Sequence, residues 1–194
     1  MRINTKSQVT SSRGARRPVG LPRALAARFR QVELLLCDVD GVLTDGLILI
    51  GENIEVKSFH IQDGLGLAAL RRSGIRVGWI SNRRSAATTQ RAEELKIDFL
   101  RQERRSKVAV IEELLTQVKL SWKQVCYVGD DIVDLGALKH AGIGIAVANA
   151  VPEVMDEAHY VTRARGGDGA IREVSELILR AKDLWRDILT SFSS

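Results

Sequence analysis

The sequence predicts an α/β fold in which helices cover both faces of one parallel sheet. Short apolar runs alternate with helix-like segments through most of the chain, and glycines mark several boundaries between them. The apolar runs lack the alternation of a half-exposed strand, which indicates strands that are buried on both faces. With 45% hydrophobic residues among 194, the chain has enough apolar material for one sizeable core.

The predicted elements follow the local pattern of apolar and turn-forming residues. A helix over 21–31 has Pro22 in its first turn, where the missing N–H costs nothing. Strands are predicted at six short apolar runs: 32–37, 76–80, 97–100, 124–128, 143–147 and 159–161. Further helices are predicted over 64–73, 85–95, 106–118 and 131–141, after Pro152, and as one long amphipathic helix over 170–189.

A β-hairpin, at about 46–59, is predicted after the first strand. The apolar segments 47–50 and 54–59 flank Gly51-Glu52-Asn53, a triplet that is typical of a tight turn. The interval between the first two sheet strands is too short for an additional domain. It therefore holds only the hairpin and the helix that follows it.

The charge is distributed unevenly along the chain. The net charge is +5, yet residues 1–31 hold eight basic residues and no acidic one, so the remainder carries a net −3. A mildly acidic body argues against nucleic-acid binding. Residues 1–20 are predicted to form a basic disordered tail before a folded domain over 21–194. An Arg- and Ser-rich start also fits an organelle transit peptide.

The sequence contains neither a membrane span nor a disulfide framework. No apolar run reaches the length that crosses a bilayer, and the start has no signal-peptide core. The two cysteines, Cys37 and Cys126, lie inside apolar runs and are predicted to be reduced core residues. A cytoplasmic protein is therefore expected.

Two carboxylates directly follow the first predicted strand. Asp38 and Asp40 lie two residues apart, so both are expected to face the crevice at the carboxyl ends of the strands. A carboxylate such as Asp38 can attack a phosphorus atom as a nucleophile. Asp40 can protonate the leaving oxygen and later activate a water. Gly41 lets the chain turn away sharply.

Three further segments place polar groups near strand ends or helix starts. Ser81 follows the next sheet strand and suits a phosphate oxygen. Lys107 begins a predicted helix, where it could neutralise phosphate charge and pair with the nucleophilic carboxylate. Asp130 and Asp131 are adjacent at another strand end, which suits a hard divalent cation and favours Mg²⁺. Asp134 is left open between a structural role in its loop and a role in the site.

Two other motifs match this region poorly. Over 38–45, Val42 and Leu43 stand where a calcium-binding loop needs an oxygen ligand and a glycine. The Gly64-x-Gly66 pair resembles a dinucleotide fingerprint, but it follows a hairpin rather than a buried strand. Both alternatives are therefore disfavoured.

The four polar segments, in this order, resemble the haloacid dehalogenase-like phosphatase superfamily. Its pattern is an Asp-x-Asp strand end, a Ser or Thr strand end, a Lys and a final acidic pair, and the match covers roughly residues 32–148. The resemblance implies a Rossmann-like fold without a cap domain and hydrolysis of a phosphomonoester through an aspartyl-phosphate. It also implies that Asp38, the Asp40 backbone carbonyl and Asp130 bind Mg²⁺, while Asp131 orients a water on the metal.

A narrower likeness extends over nearly everything after the tail. Five stretches look like the phosphatases of 3-deoxy-D-manno-octulosonate 8-phosphate (KDO 8-phosphate): 38–46, 59–64, 129–135, 159–163 and 166–173. This likeness implies a phosphorylated keto sugar acid as substrate and a role in lipopolysaccharide biosynthesis. It also implies a homotetramer assembled by the hairpins, in which each C-terminal tail reaches a neighbour's active site.

Substrate contacts are predicted at four positions. Arg83 and Lys57 could meet the carboxylate of the sugar acid, since a guanidinium offers a planar fork to such a group. Asp63 and Gly64 belong to the resembling stretch, where a helix begins close to the substrate.

Two residues depart from the pattern of that family. Asn82 stands where the second motif usually has Gly, and Asp168 stands where the tail motif usually has Arg. If that Arg holds an anionic substrate, Asp168 leaves the substrate open. The 9-phosphates of N-acylneuraminate or KDN are then an alternative, as is a non-catalytic binding protein on the same fold. A phosphotransferase is disfavoured without a cap that excludes water, and a dehalogenase would not need the acid at Asp40.

Overall fold

The computed structural model describes residues 21–52 and 54–193. The tail predicted over 1–20 lies outside the described residues, so that boundary stays a prediction. The strands of the described part are β1 (Leu34–Cys37), β2 (Leu49–Gly51), β3 (Ile54–Val56), β4 (Arg76–Ser81), β5 (Phe99–Gln102), β6 (Val125–Gly129), β7 (Ile143–Ala146) and β8 (Tyr160–Val161).

Helices connect and cover these strands. In the described part they are α1 (Arg23–Arg30), α2 (Ile61–Arg72), α3 (Ala86–Glu94), α4 (Lys107–Val118), α5 (Leu135–His140), α6 (Pro152–Glu157), α7 (Ala170–Ala181) and α8 (Trp185–Ser191). Among the residues with described positions, no helix combines the length and apolar character needed to span a bilayer.

Six strands form one parallel sheet in the order β5-β4-β1-β6-β7-β8, while β2 and β3 form a separate antiparallel hairpin. Because β-α-β connections are right-handed, α2 and α3 cover one face and α4, α5 and α6 cover the other. Helix α7 packs against α1 and α2 on the first face. The predicted α/β fold with a parallel sheet and an inserted hairpin is confirmed.

The centre of the sheet is fully buried. All four residues of β1 are buried between β4 and β6, and Trp79 and Tyr127 on these neighbours are buried completely. Burial of one large apolar side chain stabilises a fold by roughly 1.5–3 kcal/mol. The sheet is therefore a rigid support for the polar residues that follow its strands.

The predicted long helix over 170–189 is wrong. Two helices, α7 and α8, occupy this segment, because the chain turns at Asp183. Asp183 has a left-handed backbone with φ 61°, and the N–H groups of Asp183 and Leu184 donate to the carbonyls of Arg180 and Leu179. This Schellman motif usually has Gly at the left-handed position. Since Asp stands there instead, the sequence hides the end of the helix.

Other boundaries shift by a few residues. Helix α2 begins at Ile61 rather than at 64, and β5 begins at Phe99 rather than at 97. The predicted helix over 131–141 divides into a 3₁₀ turn, Ile132–Asp134, followed by α5. These shifts leave the connection order, and therefore the position of the site, unchanged.

The hairpin forms where the sequence predicts it, with shorter strands. Leu49 pairs opposite Val56 across the two strands. The apolar side chains of the hairpin face solvent: Leu49 is 65% exposed, Ile50 is 78% exposed and Ile54 is 60% exposed. An exposed cluster of large apolar side chains is typical of an interaction surface.

Candidate active site

Three neighbouring strands bring the predicted site residues to one edge of the sheet. Strand β1 lies between β4 and β6, and all three are parallel. Asp38 and Asp130 directly follow β1 and β6, and Ser81 is the last residue of β4. Because the connections after β1 and β6 leave toward opposite sides, a crevice forms at this edge.

Lys107 reaches this edge from the first residue of α4. Its ammonium nitrogen lies 2.7 Å from Asp38 Oδ1 and 2.6 Å from Asp134 Oδ1. All three side chains are buried. Removing one member of such a buried ion pair typically costs about 3–5 kcal/mol, so the three groups hold one another in place. The structure thus brings Lys107 and Asp38 together, as their predicted roles require.

Asp134 organises this cluster. Its Oδ1 accepts from Lys107 Nζ and, at 2.5 Å, from the Tyr127 hydroxyl. Its Oδ2 accepts from the backbone N–H groups of Asp130 at 3.1 Å and Asp131 at 3.4 Å. Both oxygens of Asp134 are therefore occupied in holding Lys107 and the loop after β6.

Burial raises the pKa values of the acidic groups. Burial raises the pKa of Asp38 to about 6, although the neighbouring Lys107 opposes this shift. Burial, together with the charges of Asp38 and Asp134, raises the pKa of Asp130 to about 7. Burial also works against the charged form of Lys107, but the two carboxylates beside it outweigh that effect and raise its pKa. The cluster therefore holds more acid groups than one ammonium can neutralise, which favours a bound cation.

The donor set fits Mg²⁺. One carboxylate oxygen from each of Asp38, Asp130 and Asp134 lies within 4.8 Å of the others. Asp134 already accepts hydrogen bonds on both oxygens, whereas Asp130 Oδ1 is buried with no hydrogen-bond partner among the described residues. Mg²⁺ prefers carboxylate and carbonyl oxygens. The geometry therefore favours Asp38 and Asp130, rather than Asp134, as the side chains that would hold the ion.

Gly41 lets the loop after β1 approach the acidic cluster closely. Its φ is 96°, and a Cβ atom at this position would lie 2.0 Å from Asp130 Oδ2. Both the left-handed backbone and the close contact require glycine. The sharp turn predicted after Asp40 is therefore present.

Lys57 contacts Asp40. Its Nζ lies 2.5 Å from Asp40 Oδ1 and donates to Thr88 Oγ1 at 3.2 Å, and its side chain is completely buried. The ammonium group thus has two partners within this chain, and its predicted contact with the substrate stays a prediction.

Ser81 and Arg83 form a tight turn after β4. The Ser81 hydroxyl accepts from the Arg83 N–H and donates to the Arg83 carbonyl, both at 3.1 Å. The Arg83 guanidinium pairs with Glu55, and Glu55 also accepts from the Ser85 hydroxyl. These two hydrogen bonds lower the pKa of Glu55 to about 2. Arg83 is therefore paired within the chain, and its contact with a substrate carboxylate stays a prediction.

Three other predicted residues lie in packing or capping positions. Asp63 is buried, and its Oδ1 accepts from the Arg172 N–H at the start of α7, at 2.7 Å. Gly64 is buried in the same helix α2. Asp131 is exposed and accepts from the Ile132 N–H, so it caps the turn that follows it. The predicted roles of these residues toward substrate and metal stay predictions.

Glu55, Thr88 and Tyr127 belong to the site but carry no motif in the sequence. Alternation in the extended segment of β3 and the residue after it puts residues 55 and 57 on one face, and this is the signal that could link Glu55 to Lys57. Tyr127 lies inside an apolar run, so nothing local distinguishes it from core.

Comparisons with known proteins agree with this geometry. Residues 80–174 match the haloacid dehalogenase-like hydrolase family. The 3-deoxy-D-manno-octulosonate 8-phosphate phosphatase KdsC of Yersinia pestis is 43% identical over 157 residues, which cover 80% of this chain and 84% of that protein. The chain belongs to the KDO 8-phosphate phosphatase family. The resemblance that the motifs indicate is thereby confirmed.

Solved structures of this phosphatase family share the fold. The crystal structure of KDO 8-phosphate phosphatase from Moraxella catarrhalis, in complex with magnesium ion, phosphate ion and KDO, has a TM-score of 0.85 and 37% identity. The match covers 87% of this chain and 97% of that chain. A probable YrbI family phosphatase from Pseudomonas syringae has a TM-score of 0.87 and 40% identity, over 89% of this chain and 99% of that chain.

Proposed function

We propose that this chain hydrolyses KDO 8-phosphate to KDO and inorganic phosphate, with Mg²⁺ as cofactor. The observation that carries the proposal is the buried pair of Lys107 and Asp38 at the carboxyl edge of the sheet. Membership of the KDO 8-phosphate phosphatase family supports the substrate, and the oxygen donors of Asp38 and Asp130 support the metal.

Asp38 is the nucleophile of the first half-reaction. Lys107 holds its Oδ1, and the other oxygen attacks the phosphorus of the substrate in line with the leaving sugar oxygen. The Asp38–phosphorus bond forms as the bond from phosphorus to the sugar oxygen breaks. Asp40 gives its proton to that oxygen, so the sugar leaves as a neutral alcohol. Lys107 and Ser81 stabilise the charge that develops on the transferring phosphoryl oxygens.

Water completes the reaction. Asp40, now a carboxylate, takes a proton from a water that attacks the phosphorus, and the bond to Asp38 breaks. Asp38, Asp130 and the Asp40 carbonyl would hold Mg²⁺, and Asp131 directly follows Asp130 in sequence. When bound, the ion reduces the repulsion between the anionic nucleophile and the phosphate.

The alternatives derived from the sequence are not favoured. Asp168, which prompted the 9-phosphate alternative, is largely exposed, and its carboxylate lies 4.0 Å from His60 Nε2. The intact cluster of Asp38, Lys107 and Asp130 argues against a non-catalytic protein. Curated relatives from Yersinia pestis and Escherichia coli K12, at 43% and 40% identity, are KDO 8-phosphate phosphatases.

A homotetramer assembled through the hairpins is part of the proposal. The hairpin presents Leu49, Ile50, Ile54 and Val56 outward, all at least 45% exposed. Burial of such an apolar surface against copies of the same chain would stabilise an assembly. We also propose a cytoplasmic location, because Cys37 and Cys126 are both free and buried, which is typical of proteins in reducing compartments.

The test is phosphate release from KDO 8-phosphate and from N-acylneuraminate 9-phosphate, each with Mg²⁺ or with EDTA. We expect Mg²⁺-dependent release that favours KDO 8-phosphate and is abolished in Asp38→Asn. The matched control is Asp156→Asn, which changes an exposed carboxylate on α6 and should leave release unchanged. Preference for the 9-phosphate would overturn the substrate, and release that persists in Asp38→Asn would overturn the mechanism.

A further inference from the structure

We propose that Lys57 is a positioning residue that orients Asp40 for proton transfer to and from the reacting oxygens. The inference rests on the proposed role of Asp40 as general acid and base. Lys57 has a completely buried side chain, and its Nζ lies 2.5 Å from Asp40 Oδ1. Burying an ammonium group is costly unless it is paired, so a residue that served packing alone would be apolar here.

Lys57 pairs with one particular oxygen of the Asp40 carboxylate, Oδ1. Asp40 Oδ1 is buried and has no hydrogen-bond partner among the described residues, so its contact with Lys57 Nζ is an ion pair, whereas the side chain as a whole is 21% exposed. The exposed area therefore lies on other atoms of the side chain, and Oδ1 is the oxygen that pairs with Lys57. A general acid must keep its donating oxygen within hydrogen-bond reach of the leaving group. By holding Oδ1, Lys57 keeps Oδ2 available for that transfer.

Lys57 is itself held from two sides. Its Nζ donates to Thr88 Oγ1 on α3 at 3.2 Å. Two residues earlier, Glu55 in β3 pairs with Arg83 and Ser85. The segment of β3 and Lys57 is therefore fastened to α3 and to the turn after β4, so the ammonium group has a fixed position relative to Asp40.

The test compares leaving groups that differ in their need for a proton. The sugar oxygen of KDO 8-phosphate is a poor leaving group and requires an acid, whereas p-nitrophenolate leaves without one. In Lys57→Met we expect kcat for KDO 8-phosphate to fall by about 10- to 100-fold with KM changed less than about twofold, since positioned proton transfer contributes roughly 10²–10⁴-fold. The first turnover of p-nitrophenyl phosphate, followed by stopped flow, should change less than about threefold, because this step needs no acid.

A second variant and a control complete the comparison. Thr88→Val removes a hydrogen-bond acceptor of Lys57 while leaving Asp40 and Lys57 in place, and it should show the same substrate-selective loss at a smaller magnitude. Lys57→Arg retains a cation and should recover part of the activity on KDO 8-phosphate. Lys139→Met, which breaks an exposed ion pair with Glu157, should have the same kinetic constants as the wild-type protein on both substrates.

Three results would overturn the inference. An equal loss on both substrates would show that Lys57 acts on the phosphoryl group, and a raised KM with unchanged kcat would show that it binds the sugar acid. Unchanged kinetics of Lys57→Met on both substrates would show that Lys57 has no role in the reaction. If the wild-type protein fails to hydrolyse KDO 8-phosphate, the proposed substrate is wrong. The Lys57 comparison is then made with glycerol 3-phosphate, whose leaving alkoxide has the same need for an acid.

Discussion

Replacing Asp134 by Asn tests the central hydrogen-bond cluster. The carboxylate of Asp134 accepts from four donors, two on each oxygen. Asparagine has nearly the same shape but only one acceptor oxygen. In Asp134→Asn, the amide nitrogen must therefore face either Lys107 and Tyr127 or the two backbone N–H groups. Whichever way the amide turns, two donors lose their acceptor.

The structure sets the size of the expected loss. Each buried donor left without an acceptor costs about 1–3 kcal/mol. Lys107 keeps its contact with Asp38, so we take the lower part of the range and expect Asp134→Asn to lower the free energy of unfolding by about 3 kcal/mol. For a chain of this length, that corresponds to a fall in Tm of roughly 6–12 °C.

Urea unfolding in EDTA measures this loss without a contribution from bound metal. The matched control is Asp131→Asn, which changes an exposed capping residue and should cost less than about 0.5 kcal/mol, since Asn and Asp cap equally well. Tyr127→Phe removes one of the four donors and should cost about 1 kcal/mol. If Asp134→Asn costs no more than Asp131→Asn, the cluster does not hold the site together.

Three further predictions follow from the geometry. In EDTA, the free energy of unfolding should fall as pH rises from about 5 to about 8, because the raised pKa values of Asp38 and Asp130 mean that the folded state binds protons that the unfolded chain has released. The slope reaches about 1.4 kcal/mol per pH unit for each such proton, and an equally steep slope in Asp130→Asn would contradict this cause. Gly41→Ala should abolish Mg²⁺-dependent phosphate release, because its Cβ would collide with Asp130; retained activity would show that the loop can move aside. Ile54→Glu places a charge on the exposed face of the hairpin and should reduce the mass measured by light scattering, whereas an unchanged mass would exclude this surface as the interface.

The fold could be predicted because its signals are local. Each core strand, such as β1 over Leu34–Cys37, is a continuous apolar run, and the order of runs and helical segments leads to a parallel sheet. The end of α7 could not be predicted, because Asp183 takes a backbone conformation that Gly usually adopts. The error therefore lies at a residue whose type does not reveal its conformation.

The site could be predicted only where its residues follow strand ends. Asp38 and Asp130 lie at such ends, and Lys107 begins a helix that returns to them, so their proximity follows from topology. The partner of Lys57 could not be predicted in the same way. Its contact with Asp40 depends on how the hairpin packs against α3, which is a non-local property.

The most direct test of the central claim is to capture the phosphoryl group on Asp38. KDO 8-phosphate that carries an isotope label in its phosphate group is mixed with the protein and Mg²⁺. The reaction is quenched in acid within one turnover, and the protein is digested for mass spectrometry. We predict an acid-stable, hydroxylamine-sensitive phosphoryl group on the peptide that contains Asp38, absent in Asp38→Asn and absent in EDTA. Rapid release of phosphate without any label on this peptide at the earliest quench times would contradict the account.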